Sequence, residues 1–366
     1  MRKTKKQSKE IEKIEEELSY QIDSEKIPPA DIFAYNELRS CADLYRMYKS
    51  DRLEIQPDYQ RGIVWPASDQ TRFIDSLMKQ LPIPSMCFSL DIKSQNWKVI
   101  DGLQRMHTII RFLSEDDWVL SKISDINQNI AGEKVSEIKT KHPELYSRVE
   151  NLTLPITILR CDYDNKDHAE YIFIIFHRLN ARGIKLNNQE IRNAIYNGLF
   201  NDFLKKCDDN QTWINLLDIK KDRKDRFRKV ELILRFFSFL DDYIIYKGKL
   251  TSFLNDYMFK NRYLAKEEIN KKKEIFETTI ELIYRKISNK KPLPRVSNVF
   301  MEGLMFGIAK NIKTLKRQDK KIIKEYYNKL KTSAPFSEEN IREGISRKEK
   351  VLERLNTAKN IFSGKK

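Results

Sequence analysis

The spacing of the apolar residues changes near position 197 of this 366-residue chain, and this change restricts its fold more than any other feature. Before that point, strand-like apolar runs alternate with amphipathic helical segments; the runs are "MCFSLDI", "NWKVI" and "LTLPITILRC". Beyond it only helical repeats remain, as in "KVELILRFFSFL". Short apolar runs bounded by turns indicate strands, whereas apolar residues on a helical repeat indicate helices. We therefore expect an α+β fold, with a small mixed sheet followed by a helical bundle.

Composition predicts the boundaries of these parts. Residues 1–27 are polar with mixed charges and end at two prolines, which predicts a polar tail ahead of a globular domain over residues 28–197. The remaining residues, 198–366, would form the helical domain. Within it, Ser337 is expected to cap the last helix, which follows Pro335.

The positive charge of the chain lies in its second half. The net charge is +16, and residues 190–366 contain 41 Lys and Arg against 24 Asp and Glu, a difference of +17. Such an asymmetry predicts a surface for a polyanion, with DNA as the first candidate. A solvated, lysine-rich helical surface is the open alternative. The residues expected to contact nucleic acid form one basic cluster: Lys220, Lys221, Arg223 and Lys224.

Composition also disfavours several classes of protein. No apolar run approaches the length of about 20 residues that spans a bilayer, and the first residues lack the apolar core of a secretory signal. The four cysteines are scattered, which predicts reduced, buried thiols in a cytoplasmic protein. The ten glycines form neither a P-loop nor a dinucleotide-binding motif.

A charged corner links a predicted strand to a predicted helix in the segment "NWKVIDGLQRMHTIIRFL". Asp101 stands at the N-cap position and Gln104 three residues later, so the two side chains could simply cap the helix. Arg105 favours a second interpretation, because a cation in the first turn opposes the helix dipole unless an anion binds there. The corner is therefore also a candidate phosphate site, with Gly102 allowing the turn, and both interpretations remain open.

Two other segments carry residues that could join this site. Tyr59, Gln60 and Arg61 follow a proline in a loop-like segment, and they supply a second Gln-Arg pair ahead of a helix. Asn180 and Gly183 lie where one predicted helix ends and another begins. These two residues could line a pocket or serve ordinary turns.

The order of these motifs resembles the DGQQR-motif family, the N-terminal domain of GmrSD-type modification-dependent restriction endonucleases and related phage-defence proteins. The shared elements are a YQR segment followed by VW, then LPIP, then DG-x-QR after a strand, then F-x-x-LN-x-x-G-x-x-L. The resemblance spans residues 27–196. It implies a ParB/sulfiredoxin-like fold, in which a corner of this type holds nucleotide phosphates.

The resemblance also implies roles for individual residues. Asp101, Gln104 and Arg105 would be catalytic. The nucleotide would be bound by residues from all three segments: Tyr59, Gln60, Arg61, Gly102, Arg105, Asn180 and Gly183. A nucleoside triphosphate is the implied cofactor, with Mg²⁺ as its companion ion, and no set of metal ligands within the chain is expected. Leu103 replaces the family's first glutamine, so nucleotide binding would persist even where hydrolysis is weakened or lost.

Larger members of that family carry an HNH nuclease domain, which needs histidines. All four histidines of this chain lie between positions 107 and 177, so we expect no HNH nuclease here. A partner nuclease is a candidate source of cleavage, and the sequence leaves this open. The predicted function is a nucleotide-binding component of a prokaryotic restriction or antiphage system, hydrolysing the nucleotide if the corner is active and contacting DNA through its basic half. Two alternatives remain: a non-catalytic nucleic-acid-binding adaptor with a structural corner, and a nicking nuclease.

Overall fold

The division into a sheet-containing part and a helical part is present in the structure. The computed structural model describes residues 28–55, 65–179, 186–218, 227–294 and 297–364. Within these ranges the chain divides into two compact units, with the boundary between Leu186 and Asn187. The first unit contains a five-stranded sheet with helices, and the described part of the second is helical. The predicted α+β fold is therefore confirmed.

The sheet of the first unit is mixed, as predicted. Its strands lie in the order β1-β5-β3-β4-β2; β1–β5 and β3–β4 are antiparallel, whereas β3–β5 and β2–β4 are parallel. Strands β3, β4 and β5 correspond to the three predicted apolar runs, and β1 and β2 were not predicted. In chain order the elements are β1 (Phe33–Ser40), α1 (Cys41–Lys49), β2 (Leu53–Glu54), α2 (Ala67–Met78), β3 (Met86–Asp91), β4 (Trp97–Asp101), α3 (Leu103–Ser114), α4 (Val135–Lys141), α5 (Pro143–Asn151), β5 (Thr153–Cys161) and α6 (Lys166–Leu179).

One face of the sheet forms the main core of this unit. Successive residues of a strand point to opposite faces, so every second residue of β3 and β5 enters this core. Met86 and Phe88 of β3 are buried there beside Ile156 and Ile158 of β5. Apolar residues of α1, α2, α3, α4 and α5 also enter this core, and each fully buried aliphatic or aromatic side chain stabilises the fold by about 1.5–3 kcal/mol.

The opposite face carries four residues in one register across four strands. Asn36 of β1 pairs with Thr157 of β5, and Thr157 pairs with Cys87 of β3. Cys87 in turn pairs with Asp101, the last residue of β4. Paired residues of adjacent strands project on the same side of a sheet. These four paired residues therefore cross the sheet from the edge strand β1 to the predicted corner.

The second unit is built from helices over the ranges that the structure describes. The predicted repeats fall in α10, α12 and α13, and a π-helical turn, Ile283–Ile287, extends α12. Its helices are α7 (Asn188–Ile195), α8 (Leu199–Asp208), α9 (Gln211–Leu217), α10 (Arg228–Asp242), α11 (Leu250–Asn261), α12 (Lys266–Leu282), α13 (Asn298–Lys310), α14 (Ile312–Arg317), α15 (Lys320–Thr332), α16 (Glu338–Glu343) and α17 (Lys348–Ser363). No helix within the described ranges combines the length and the apolar character that crossing a membrane requires.

The prediction for the end of the chain was partly correct. Ser337 is an N-cap, and its side chain accepts a hydrogen bond from the backbone N–H of Asn340. The helix that it caps, α16, has only six residues, and the last described helix is α17. Helix α13 packs closely against α17, since a Cβ atom on Gly307 would lie 2.8 Å from the carbonyl oxygen of Ala358.

Several charged side chains lie inside the second unit. Arg192 of α7 is 1% exposed; its Nε donates to Asn255 Oδ1 at 2.8 Å and its Nη1 donates to Glu231 Oε2 at 3.0 Å. These partners belong to α11 and α10, so one guanidinium joins three helices. Because buried charges require partners with good geometry, this network specifies how the three helices pack.

Candidate functional site

The predicted corner lies where β4 ends and α3 begins. Gly102 is the N-cap residue of α3, with a left-handed backbone (φ 96°, ψ 14°) that favours glycine. A Cβ atom on this residue would also lie 2.5 Å from Cγ of Met86, which is buried in the core. Gly102 is therefore required both by the turn and by close packing against β3.

The capping interpretation of Asp101 and Gln104 is wrong. Asp101 is still part of β4, where it pairs with Cys87, so the helix begins after Gly102 and has no side-chain cap. Gln104 reaches instead across the unit, and its Oε1 accepts a hydrogen bond from the backbone N–H of Trp65 at 2.9 Å. Its role in the fold is therefore to hold the start of α2 beside α3.

Arg105 forms an ion pair with Asp101. Its Nη2 donates to Asp101 Oδ2 at 2.9 Å, and its Nη1 donates to the carbonyl oxygen of Pro84. The Arg105 side chain is 14% exposed, against 35% for Asp101. Burial lowers the pKa of Arg105, and the nearby carboxylate opposes this effect. Asp101 thus supplies the counter-charge for this cation. The presence of Arg105 in the first turn of α3 does not require a bound anion.

The corner nevertheless keeps polar atoms that the described part of the chain does not pair. Asp101 Oδ1 and Gln104 Nε2 have no hydrogen-bond partner there. The first amides of α3 precede the first helical bond, which runs from the N–H of Met106 to the carbonyl oxygen of Gly102 at 2.9 Å. A guanidinium, an amide donor and a helix N-terminus thus lie together, and these groups bind phosphate.

His107 follows these residues in α3. Its Nδ1 atom is buried and has no hydrogen-bond partner in the described ranges. Burial lowers the pKa of His107, and the positive charge of Arg111 lowers it further. The imidazole is therefore neutral near pH 7, and its position fits a partly buried structural histidine.

The other predicted site residues lie outside the described residues. In the first unit these are the residues of the two companion segments: Tyr59, Gln60, Arg61, Asn180 and Gly183. In the second unit they are the four predicted nucleic-acid contacts: Lys220, Lys221, Arg223 and Lys224. Trp65, which bonds to Gln104, is described and lies four residues after Arg61.

The sequence did not reveal the polar residues that adjoin the corner on the sheet. Thr157 Oγ1 donates to Asn36 Oδ1 at 2.8 Å and lies 3.1 Å from the hydroxyl of Ser85. No motif marks these positions. The only signal was Thr157 itself, a polar residue between two isoleucines of a predicted strand.

The described residues contain no group of three or more His, Cys, Asp or Glu side chains that could hold a metal ion. The four cysteines are free and buried, as expected. Burial raises the pKa of Cys87 to about 12, and the charge of Asp101 acts in the same direction. Cys87 is thus a protonated thiol at neutral pH and a poor nucleophile, although it lies next to the corner.

Residues 41–197 match the family described as the GmrSD restriction endonuclease, N-terminal domain. No curated protein and no solved structure matches the chain, and the ParB/sulfiredoxin-like fold stays a prediction. The matched range contains strands β2 to β5 and the whole corner from Asp101 to Arg105. Residues 41–197 of this chain therefore belong to the GmrSD N-terminal domain family.

Proposed function

We propose that the corner from Asp101 to Arg105 binds the phosphates of a nucleoside triphosphate. The observation that carries this proposal is the position of Arg105, whose guanidinium is held by two partners at the first turn of α3. The family match supports the biological setting, because its description names a restriction endonuclease. In this proposal the chain is a component of a restriction or antiphage defence system.

The geometry favours phosphate binding because Arg105 is already positioned. A guanidinium carries five N–H donors, and the bonds to Asp101 and Pro84 leave others for phosphate oxygens. A side chain that is ordered before binding loses less conformational entropy when the ligand arrives. Gln104 Nε2 and the first amides of α3 add uncharged donors.

Asp101 opposes phosphate binding unless a cation lies between the two groups, because like charges repel. Its Oδ1, together with phosphate oxygens, is a donor set that suits Mg²⁺, which is often bound by one carboxylate and the phosphates of a nucleotide. The residues present therefore fit a nucleotide-bound Mg²⁺. Asp101 and Gln104 are also the groups that would position a water for hydrolysis, and Leu103 offers no polar atom for this task.

One observation favours a second candidate function, a nucleic-acid-binding adaptor with a structural corner. The Arg105–Asp101 pair is complete without any ligand, and Gly102 is required by packing against Met86. A corner of this kind would be retained for the fold alone. In both candidates we propose that the basic second half contacts DNA, since it carries the excess positive charge.

Titration of the four ribonucleoside triphosphates by calorimetry, with and without Mg²⁺, separates the two candidates. Arg105→Gln should weaken binding at least about tenfold, because charge-assisted hydrogen bonds are lost. The control is Arg72→Gln, which alters an exposed arginine of α2 that pairs with Asp69 and Asp125. Absence of nucleotide binding by the folded wild-type protein would exclude the nucleotide site and leave the adaptor.

The same preparation tests DNA binding at two salt concentrations. Affinity for duplex DNA should fall steeply with salt, because neutralised phosphates release counterions. Replacement of the four predicted contacts with glutamate should weaken DNA binding without changing nucleotide affinity; these residues are Lys220, Lys221, Arg223 and Lys224. DNA binding without a salt dependence, or unaffected by the replacements, would contradict this part of the proposal.

A further inference from the structure

We infer that the sheet face beside the corner binds the sugar and the base of the nucleotide whose phosphates contact Arg105. This inference rests on the proposed function and extends it to a second subsite. The residues concerned are Ser85, Thr157 and Asn36, which we call the polar row, and the apolar pair Leu38 and Pro155 beside it.

The side chains of the polar row lie within hydrogen-bond distance of one another. Thr157 has a single hydroxyl proton and donates it to Asn36 Oδ1 at 2.8 Å. The hydroxyl of Ser85 lies 3.1 Å from Thr157 Oγ1 and also within 3.1 Å of the carbonyl oxygen of Met86. The amide nitrogen of Asn36 has no partner in the described ranges, and the residue is exposed. The row therefore ends in N–H groups that remain available to a ligand.

The polar row begins at the phosphate corner. Ser85 directly follows Pro84, whose carbonyl oxygen accepts a hydrogen bond from Arg105. Thr157 is also in register with Cys87, which pairs with Asp101. The corner and the row thus belong to one continuous face of the sheet.

The length of the row suits a nucleoside. It crosses from β3 through β5 to β1, and adjacent strands lie about 4.8 Å apart, so it extends for about 10 Å. A sugar hydroxyl can donate a hydrogen bond to Ser85 Oγ, and the Asn36 amide can donate to an acceptor on the edge of a base. Groups at this spacing would bind a sugar and a base while the phosphates remain beside Arg105.

An apolar surface lies next to the end of the row. Leu38 follows Asn36 by two residues in β1, so it projects from the same face, and it pairs with Pro155 of β5. Leu38 is 66% exposed. A single exposed leucine is ordinary, but this one adjoins free N–H groups. A base has an apolar face and a polar edge, and the Leu38–Pro155 pair with Asn36 offers contacts for both.

The affinity for a nucleoside triphosphate should be compared with that for inorganic tripolyphosphate. Tripolyphosphate needs only the corner, whereas the nucleotide also needs the polar row. Thr157→Val keeps the β-branched shape and removes the central hydroxyl, and Leu38→Ser removes the apolar surface. Each substitution should weaken nucleotide binding about three- to tenfold and leave tripolyphosphate binding unchanged.

The matched control is Thr153→Val, the same substitution on the same strand, where Thr153 pairs with Ser40 and lies outside the polar row. Nucleotide affinity unchanged in both Thr157→Val and Leu38→Ser would overturn this inference while the phosphate site stands. If the wild-type protein binds neither tripolyphosphate nor nucleotide, the proposed function fails and the subsite fails with it. Circular dichroism of each variant shows that a loss of binding does not reflect unfolding.

Discussion

The two units hold their arginines in different ways. In the first unit, the Arg105–Asp101 pair lies at the end of a strand, and the carboxylate is 35% exposed with one oxygen unpaired in the described ranges. In the second unit, Arg192 is 1% exposed and bonds to Glu231 and Asn255. A partly exposed pair can exchange a partner for a ligand, whereas a buried pair is committed to helix packing. Charge alone therefore does not identify a binding surface.

This difference changes how the positive charge of the second half should be interpreted. Its net charge of +17 includes arginines that lie inside the helical unit rather than on its surface. Among the described residues, the buried arginines are Arg192, Arg235, Arg262 and Arg354. A prediction of DNA binding from the total charge thus counts cations that cannot reach a phosphate.

The largest effect is expected from Arg192→Met. This substitution removes one partner of a buried ion pair and should destabilise the second unit by about 3–5 kcal/mol. Hydrogen exchange measures each unit separately, so protection should fall in α7, α10 and α11 and remain in the sheet. The control Arg285→Met alters an arginine that is 64% exposed and pairs with Glu281, and it should cost less than about 1 kcal/mol. Equal losses of stability in the two variants would contradict the distinction between buried and exposed ion pairs.

A smaller effect is expected at the corner, from Gly102→Ala. Its left-handed backbone and the contact with Met86 should together cost about 1–3 kcal/mol in the first unit. Gly132→Ala separates the two causes, because Gly132 also has a left-handed φ of 80° but its nearest neighbour, Lys122 Cβ, lies at 3.5 Å. Urea unfolding of both variants gives the comparison. If Gly132→Ala is as destabilising as Gly102→Ala, packing against Met86 has no role.

The smallest effect is a dependence of stability on pH. Burial lowers the pKa of His107 in the folded protein, so the unfolded chain binds the proton more readily. The contribution of this pKa shift to the free energy of unfolding is complete above the unfolded pKa of about 6.5. It is lost as the pH falls through the pKa of His107 in the folded protein. His107→Gln should make the stability of the first unit, measured by hydrogen exchange, depend less on pH. Because no histidine lies beyond position 177, the stability of the second unit should not depend on pH through a histidine.

Sequence patterns predicted the elements that bury apolar residues on a regular repeat. Strands β3, β4 and β5 were predicted because each carries a short apolar run, and α10 and α13 because of their helical spacing. Strand β1 was missed because it lies at the edge of the sheet, where most of its side chains remain exposed and no burial pattern marks it. An edge strand is defined by its pairing partner rather than by its own composition.

The candidate site was predicted only in part, for a related reason. Asp101, Gly102, Gln104 and Arg105 are close in sequence, so a motif could identify them. The contact between Gln104 and Trp65, and the bond between Thr157 and Asn36, join distant positions of the chain. Such contacts depend on strand register, which a single sequence does not reveal.

The position of β5 in the sheet has a consequence for synthesis of the protein on the ribosome. Strand β5 lies between β1 and β3, and Phe33 near the start of the chain pairs with Arg160. At about 5–20 residues per second, the ribosome needs on the order of ten seconds to make the intervening chain. The β3–β4 hairpin can form during this time. Strand β1, with its exposed Leu38, has no strand to pair with until β5 has been made. The sheet face that we assign to the nucleotide therefore forms only after β5 has been made. A chain whose synthesis stalls before Thr153 contains the whole corner, but its sheet lacks β5, the strand that joins β1 to β3.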